Sequence, residues 1–597
     1  MIKLLHSLDY STVGTSTGHH FVSCVQLSCG LTMNINVFLL IAASVGLSNA
    51  DDDLVLQLWE KHGKIRGHTL KSFLGNDYYA FQEIPYATPP IGSNRFKEPK
   101  EAEDWEGIRN TSENTKVCMQ NKAIAITPVP SKMNMTEDCL YLNVYTPVKP
   151  GSGEDVLPVL FWIHGGGFFY GSGAIEYYDP KYFMDHNIVV VTINYRLGPF
   201  GFLTTADEVI PGNIGLKDQA LALRWVSNNI HLFRGDRRKV TVMGESAGST
   251  SAGYLQLSKK VSGLASGFIL ESGSPLSPYA YQDDPKHFAF KMGAALDTNF
   301  KSKNSKDLLE LLQSSPAENI LYANVSNDRY SINIISRIVV WLPIIEDKNY
   351  ANAFITEPMY TSLLRGHFNH VPLMTGYNAE ESFFFVRGTS EQIGAEGDLY
   401  DQNIALTMNP RLNVSPECGS AAGRAYRDVY TNSTFKESPG AFLKYLSDEV
   451  FATPNIRHAE LASLFAPTYL YQFSFKGKMG GLENLPNVPG AGNVGHTEEL
   501  KYLFGGIEGS SKDASFYPDS DQLTMRRMLT LWTNFIKYHN PTPEHDSLLN
   551  VRWPLVEIEN IHYLDINRTL EVQTNPQYYN RVKRVFEQYS NAPFVVY

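Results

Sequence analysis

A serine attacks a carbonyl carbon only when its hydroxyl stands clear of the backbone, beside a base and close to donors that receive the resulting oxyanion. Gly244-Glu245-Ser246-Ala247-Gly248 has the form such a serine needs. The apolar stretch Lys239-Val240-Thr241-Val242-Met243 precedes it and helix-compatible residues 249–257 follow, which reads as strand, G-x-S-x-G turn, helix. A turn this tight forces the serine into strained backbone geometry, and glycine on both sides lets strand and helix pass closely. The pentapeptide alone is weak, because a chain of 597 residues yields about 0.2 matches by chance. Context decides: Gly14-Thr15-Ser16-Thr17-Gly18 also fits the pattern but has no strand ahead of it.

His164-Gly165-Gly166-Gly167-Phe168 follows a second apolar run that ends at Ile163. Consecutive glycines let backbone N–H groups converge on one oxygen, so Gly166 and Gly167, with the N–H of Ala247, are expected to form an oxyanion hole. One such donor is typically worth about 10²–10³ in rate. No G-K-[ST] follows and no G-x-G-x-x-G opens a helix here, which argues against a phosphate loop. Of the 16 histidines, His496 stands out as the base. It follows Gly495 at the end of a stretch rich in Gly, Pro and Asn, residues 476–495, and a helical pattern resumes at Thr497-Glu498-Glu499-Leu500. The acid that orients it should come between serine and histidine. Glu380 and Glu381 both qualify, following the apolar residues 371–374 and Gly376-Tyr377-Asn378, and composition does not choose between them. No H-E-x-x-H or Cys/His cluster points to a metal, and no cofactor is implied.

These groups must be held by rigid elements. Residues 156–163, 188–193, 240–243 and 267–270 are short, continuously apolar runs, read as strands buried on both faces, and residues 216–230 repeat at helical spacing. The alternation implies β-α units and a large, mainly parallel sheet flanked by helices, with reactive residues at the carboxyl ends of strands. With 43% hydrophobic and 19% charged residues the chain has ample material for a core. Its formal charge of −11 opposes nucleic-acid binding and favours a small-molecule partner.

Residues 37–47 are apolar but too few to span a bilayer, and Ser48-Asn49-Ala50 carries small residues at the −3 and −1 positions of a signal-peptidase site. Residues 1–50 are therefore expected to be a leader, with translation starting at Met33 and cleavage after Ala50, and residues 51–597 a single domain. No retention tetrapeptide or lipid-anchor signal is found near Tyr597, so the product is expected to be secreted, without a stable membrane anchor. Cys24 and Cys29 fall in the leader. In an oxidising compartment Cys118 and Cys139 could close a loop worth roughly 3 kcal/mol, leaving Cys418 free and buried. Sequons at Asn110, Asn134, Asn324, Asn413, Asn432 and Asn567 fit a glycosylated surface.

The sequence resembles the type-B carboxylesterase and cholinesterase family from Tyr79 to beyond Phe504. The resemblance rests on Ala80-Phe81-x-x-Ile84-Pro85-Tyr86-Ala87-x-Pro89-Pro90, Arg95-Phe96, Glu137-Asp138-Cys139-Leu140-Tyr141-Leu142-Asn143-Val144, His164 to Phe168, Asn194-Tyr195-Arg196-Leu197-Gly198, Gly212-Asn213-x-Gly215-Leu216-x-Asp218-Gln219 and Gly244 to Ser249. It implies an α/β-hydrolase fold, and a serine carboxylic ester hydrolase that works through an acyl-enzyme. It also implies Ser246, Glu381 and His496 as the triad, because the family's acid lies five residues after the strand-ending glycine, here Gly376, and Cys118–Cys139 as the family's first disulfide. Phe168 and Tyr279 are implied as substrate-pocket residues, Tyr279 standing where many members carry a tryptophan. Cholinesterases carry a tryptophan within the first disulfide loop, and residues 119–138 contain no aromatic residue, which argues against choline esters. The motifs are closest in character to secreted insect esterases that act on xenobiotic, odorant or hormone esters. Val494-Gly495-His496-x-Glu498 is similar to the histidine loop of juvenile hormone esterases, whereas Glu245 stands where those enzymes commonly carry Gln. The family also includes catalytically dead adhesion proteins, but here the serine, acid, histidine and glycine loop are all retained.

Overall fold

The strand-forming runs are apolar apart from the buried Thr192 and Thr241, because both faces of their sheet are covered. This is seen in a computed structural model that describes residues 54–58, 63–122, 128–151, 155–326, 339–481, 487–506 and 513–597. The expected leader and cleavage site, with Cys24 and Cys29, lie outside the described residues. Leu157–Ile163 turns Val159, Phe161 and Ile163 into one core and Leu160 and Trp162 into the other. That alternation is the two-residue period of a pleated strand, doubled by helices on both sides.

In chain order the main sheet is built from β1 (His68–Lys71), β2 (Asp77–Pro85), β3 (Tyr141–Thr146), β4 (Leu157–Ile163), β5 (Val189–Ile193), β6 (Gly235–Glu245), β7 (Gly267–Glu271), β8 (Leu373–Asn378), β9 (Thr468–Phe473), β10 (His562–Ile566) and β11 (Leu570–Thr574). Among the described residues the spatial order is β11-β10-β9-β8-β7-β6-β4-β5-β3-β2-β1. The run from β10 to β5 is parallel throughout. Both ends are antiparallel, through β11 on one side and β3, β2 and β1 on the other. The sheet is therefore mixed, with the expected parallel arrangement confined to the centre, where the chemistry-bearing loops emerge. Two strands run further than their apolar stretches predict. β6 continues to Glu245, and β8 runs through Gly376 to Asn378, so Gly376 lies within a strand and not after one.

On one face α1 (Ile214–Asn229) and α2 (Ala247–Leu257) bury Leu216, Leu223, Val226, Tyr254 and Leu255 against the sheet. On the other, α3 (Asp519–Tyr538) places Met525, Met528, Leu529, Trp532 and Phe535 at helical spacing over Trp162, Met243 and Ile269.

Arg196, just beyond β5, ties that strand to α1. Its Nε donates to Asp218 Oδ2 at 2.8 Å and its Nη2 to Oδ1 at 2.6 Å, with both side chains out of contact with water. Asp218→Ala would leave the guanidinium charge buried without its partner, an arrangement that costs about 3–5 kcal/mol. A urea titration should show the loss as a lower midpoint with an unchanged slope.

Cys118 and Cys139 are disulfide-bonded. Cys418 is free but half-exposed, contrary to the expected burial, because it occupies the N-cap of the surface helix Gly419–Tyr430.

Candidate active site

β6 delivers Glu245, and α2 starts at Ala247, so Ser246 alone makes the turn between them, at φ 58° and ψ −124°. For a side chain with a Cβ this backbone geometry costs on the order of 1–3 kcal/mol and persists only where the surroundings hold it. The hold is visible: Ser246 N–H donates to Glu271 O at 2.8 Å, and a Cβ on Gly248 would run into the carbonyl oxygen of Ile163. The same crowding explains Gly244, whose added Cβ would meet Gly248 O.

The glycine loop leaves β4 beside this turn. Gly166 (φ 105°) and Gly167 (φ 59°) adopt backbone that favours glycine, and Phe169 and Tyr170 N–H both donate to Gly166 O, fixing the loop. Among the described residues the N–H groups of Gly166, Gly167 and Ala247 are spent on no backbone carbonyl beyond their own elements. Gly166 and Gly167 border the same cavity as Ser246. Phe168, expected in the substrate pocket, does not. It is fully buried against Phe202 in the core, and its neighbours Phe169 and Tyr170 line the cavity. The reason lies in the backbone: at φ 67° Phe168 turns its side chain inward as the chain leaves Gly167. Tyr279 does line the cavity, its Oη 3.1 Å from Thr250 Oγ1.

His496 comes in from the far side on the loop that follows β9. Its Nδ1 lies 2.6 Å from Glu381 Oε2, and since a carboxylate only accepts, Nδ1 donates to it and Nε2 is the ring nitrogen turned away from Glu381. Glu381 Oε1 accepts from Asn378 N–H at 2.7 Å, and Asn378 Nδ2 donates to Gly495 O at 2.8 Å, so strand β8 orients acid and base together. Glu380 points away, against Gly492, with its carboxyl raised by burial. Of the two glutamates, Glu381 is the one brought to the histidine. Ser246, His496, Tyr279, Phe384, Phe385 and Phe451 surround a cavity of about 80 Å³. A larger cleft of about 570 Å³, lined by Lys97, Glu98, Lys217 and Glu346, contains none of these groups, and the candidate chemistry is assigned to the smaller one.

The sequence matches the carboxylesterase family over residues 53–584. The chain belongs to that family. Juvenile hormone esterase of Tribolium castaneum is 31% identical over 524 residues, spanning 84% of this chain and 86% of the relative. Venom carboxylesterase-6 of Apis mellifera is 38% identical over 433 residues, 69% of this chain and 74% of that one. The crystal structure of juvenile hormone esterase from Manduca sexta, with OTFP covalently attached, superposes with a TM-score of 0.77 at 26% identity, covering 89% of this chain and 99% of that one. The fold is an α/β-hydrolase fold, and the family and its esterase relatives support a carboxylic ester hydrolase.

Two features of this carboxylesterase site escape sequence reasoning. The first is a set of buried carboxyl groups around the imidazole. Glu245 Oε1 approaches His496 Nε2 to 3.0 Å without making a hydrogen bond, and burial, with the Glu381 charge nearby, pushes the Glu245 carboxyl well above its usual range. Glu271 accepts from Trp532 Nε1 at 2.5 Å and Glu499 accepts from Asn378 Nδ2. Burial raises both carboxyls; the Glu499 charge adds to the shift of Glu271, and the Glu245 and Glu381 charges add to that of Glu499. Glutamate in an apolar strand end is the one signal the sequence offers, and Glu271 shows it after residues 267–270. The second feature is aromatic: rings of Phe451, Phe384 and Phe385 lie 4.5, 5.5 and 5.5 Å from the His496 ring. The run Phe383-Phe384-Phe385, which begins two residues after Glu381, could have pointed to two of them, but Phe451 arrives on a π-helical turn with no sequence mark.

Glu498, two residues beyond His496, accepts from Gly495 N–H at 3.1 Å, and burial pushes its carboxyl up to about 7, opposed by that hydrogen bond and by Lys476 and Lys501. A carboxyl raised above its unfolded value stabilises the fold fully below the unfolded value near 4.5 and loses that contribution as pH rises through 7. The loss amounts to about 3 kcal/mol. Glu498→Gln keeps the acceptor and removes the titration, so its melting temperature should exceed wild type at pH 8, with the gap closing at pH 5.

Proposed function

We propose that the protein hydrolyses small to medium hydrophobic carboxylic esters through an acyl-enzyme on Ser246. The observation that carries this reading is Ser246 strained at the strand–helix turn, sharing a cavity with an imidazole that Glu381 holds at 2.6 Å. In the first half, Ser246 Oγ attacks the carbonyl carbon while His496 Nε2 takes its proton, and the oxyanion is received by the N–H groups of Gly166, Gly167 and Ala247. The imidazolium returns the proton to the departing alcohol. Water, deprotonated by His496, then releases the acid by the same route. Glu381 holds the Nδ1 tautomer and stabilises the imidazolium. The aromatic walls exclude water from the ion pair, which strengthens it.

A second reading, hydrolysis of a juvenile hormone ester, is supported by the similarity to the Tribolium and Manduca hormone esterases. Glu245 beside the nucleophile speaks for the broader esterase. Secretion of a glycoprotein completes the proposal. It is supported by the exposure of the sequon asparagines. Asn110, Asn134, Asn324, Asn413 and Asn432 are exposed and Asn567 is half-exposed. The test is the pre-steady-state release of p-nitrophenol from a short-chain ester. A burst equal to the enzyme concentration, abolished by Ser246→Ala and by an organophosphate, is the expected result. Turnover without a burst or an adduct on Ser246 would overturn the acyl-enzyme.

A further inference from the structure

We infer that the segment Asn591–Tyr597 acts as a strap that positions the Tyr279–Phe451 wall of the Ser246 cavity and so limits the size of ester substituent admitted there. The inference rests on the ester-hydrolase reading of that cavity. Tyr279 and Phe451 face each other across the wall at 5.7 Å between ring centroids, and they come from different parts of the chain. Tyr279 lies in a turn closed by Ser277 N–H to Ser274 O and Ala280 N–H to Ser277 O. Phe451 lies in the π-helical turn Asp448–Ala452, which runs directly into the helix Thr453–Ala462.

The strap grips both. Tyr597 N–H donates to Leu276 O at 2.9 Å, inside the turn that carries Tyr279. The Tyr597 ring sits under the guanidinium of Arg457, 5.3 Å from its centroid, on the helix that continues from Phe451. The ring is also stacked on Tyr360 and lies 4.3 Å from Phe586. The strap is itself pinned upstream, where Asn413 Nδ2 donates to Asn591 O at 2.8 Å and Tyr360 N–H donates to Val595 O at 3.2 Å. Tyr597, Phe586, Thr453 and Pro278, the residue next to Tyr279, line a small cavity of about 10 Å³. Shrinking Tyr597 therefore opens space directly behind the wall, and close-packed interiors relax into such space.

The side chain acts by bulk and stacking, since Tyr597 Oη is buried without a hydrogen-bond partner among the described residues. The test compares wild type, Tyr597→Ala and Tyr597→Phe on two ester series, one varied from acetyl to octanoyl and the other from methyl to octyl. Active sites are counted by organophosphate titration. Tyr597→Ala should shift kcat/KM of at least one series toward longer chains by about tenfold, the scale on which a hydrophobic pocket weighs a methylene. Shortest-ester kcat per titrated site should stay at wild type, and Tyr597→Phe should keep the wild-type profile. Should the alanine variant not fold, Tyr597→Leu, which keeps apolar volume but loses the stack, takes its place with the same expected shift. Unchanged chain-length profiles, or an equal loss on every ester, would overturn the strap. A wild type that neither turns over esters nor takes up organophosphate would instead remove the reading beneath it.

Discussion

Ser246→Ala should lower kcat on a p-nitrophenyl ester by roughly 10⁶-fold, and adding His496→Ala to it should lower the rate little further. The two groups act in one step, so removing the nucleophile removes what the base does. Residual turnover should remain above the uncatalysed rate, because the N–H groups of Gly166, Gly167 and Ala247 would still polarise a bound carbonyl. The substitution should not unfold the protein. Ser246 bears its strain in the backbone, which is held by its N–H bond to Glu271 O and by the passage of Gly248 against Ile163. Additive losses in the double variant would mean that the two side chains act independently, and the acyl-transfer scheme would then fail.

Glu381→Gln should cost about 10⁴-fold in kcat, whereas Glu380→Gln should leave kcat within a factor of a few. The large loss follows from the tautomer. A carboxylate accepts from His496 Nδ1 and leaves Nε2 as a base, while a carboxamide can donate to Nδ1 and so place the proton on the wrong nitrogen. Glu381 has no freedom to compensate, with Oε1 held by Asn378 N–H and Oε2 on the imidazole. Glu380 is turned toward Gly492, outside the cavity. Single-turnover rates of both variants decide the matter, and equal losses would show that the carboxylate beside His496 in the resting protein is not the one that works.

The contrast between the two glutamates also marks how far residue types alone could lead. Ser246 and the glycine loop were legible because each is a local device: the turn strains the residue it contains, and the glycines it needs are its own neighbours. The strands were legible because burial on both faces leaves almost no polar position in the run, Thr192 and Thr241 being the exceptions. Gly376 was misplaced because a glycine can end a strand or sit inside one, and only pairing with β7 and β9 decides. Phe168 was assigned to the pocket through the family resemblance. A positive φ, fixed by tertiary contacts, sends it into the core instead.

Choosing Glu381 over Glu380 needed the family resemblance at the sequence level, for adjacent residues of one type differ only in direction, and direction is set by β8 and the loop carrying His496. The buried carboxyls Glu245, Glu271 and Glu499 and the ring of Phe451 belong wholly to the folded state. They meet from strand ends, a loop and a π-helical turn far apart in the chain. Their altered protonation arises from shared exclusion of water, which no single residue carries. By itself, then, the sequence determined the candidate serine, the glycine loop beside it and the layered α/β architecture, all of which follow from short-range pattern. Only the tertiary structure decided which acid faces the base, what lines the cavity and what electrostatic surroundings the imidazole meets, because these depend on distances between segments that chain order does not contain.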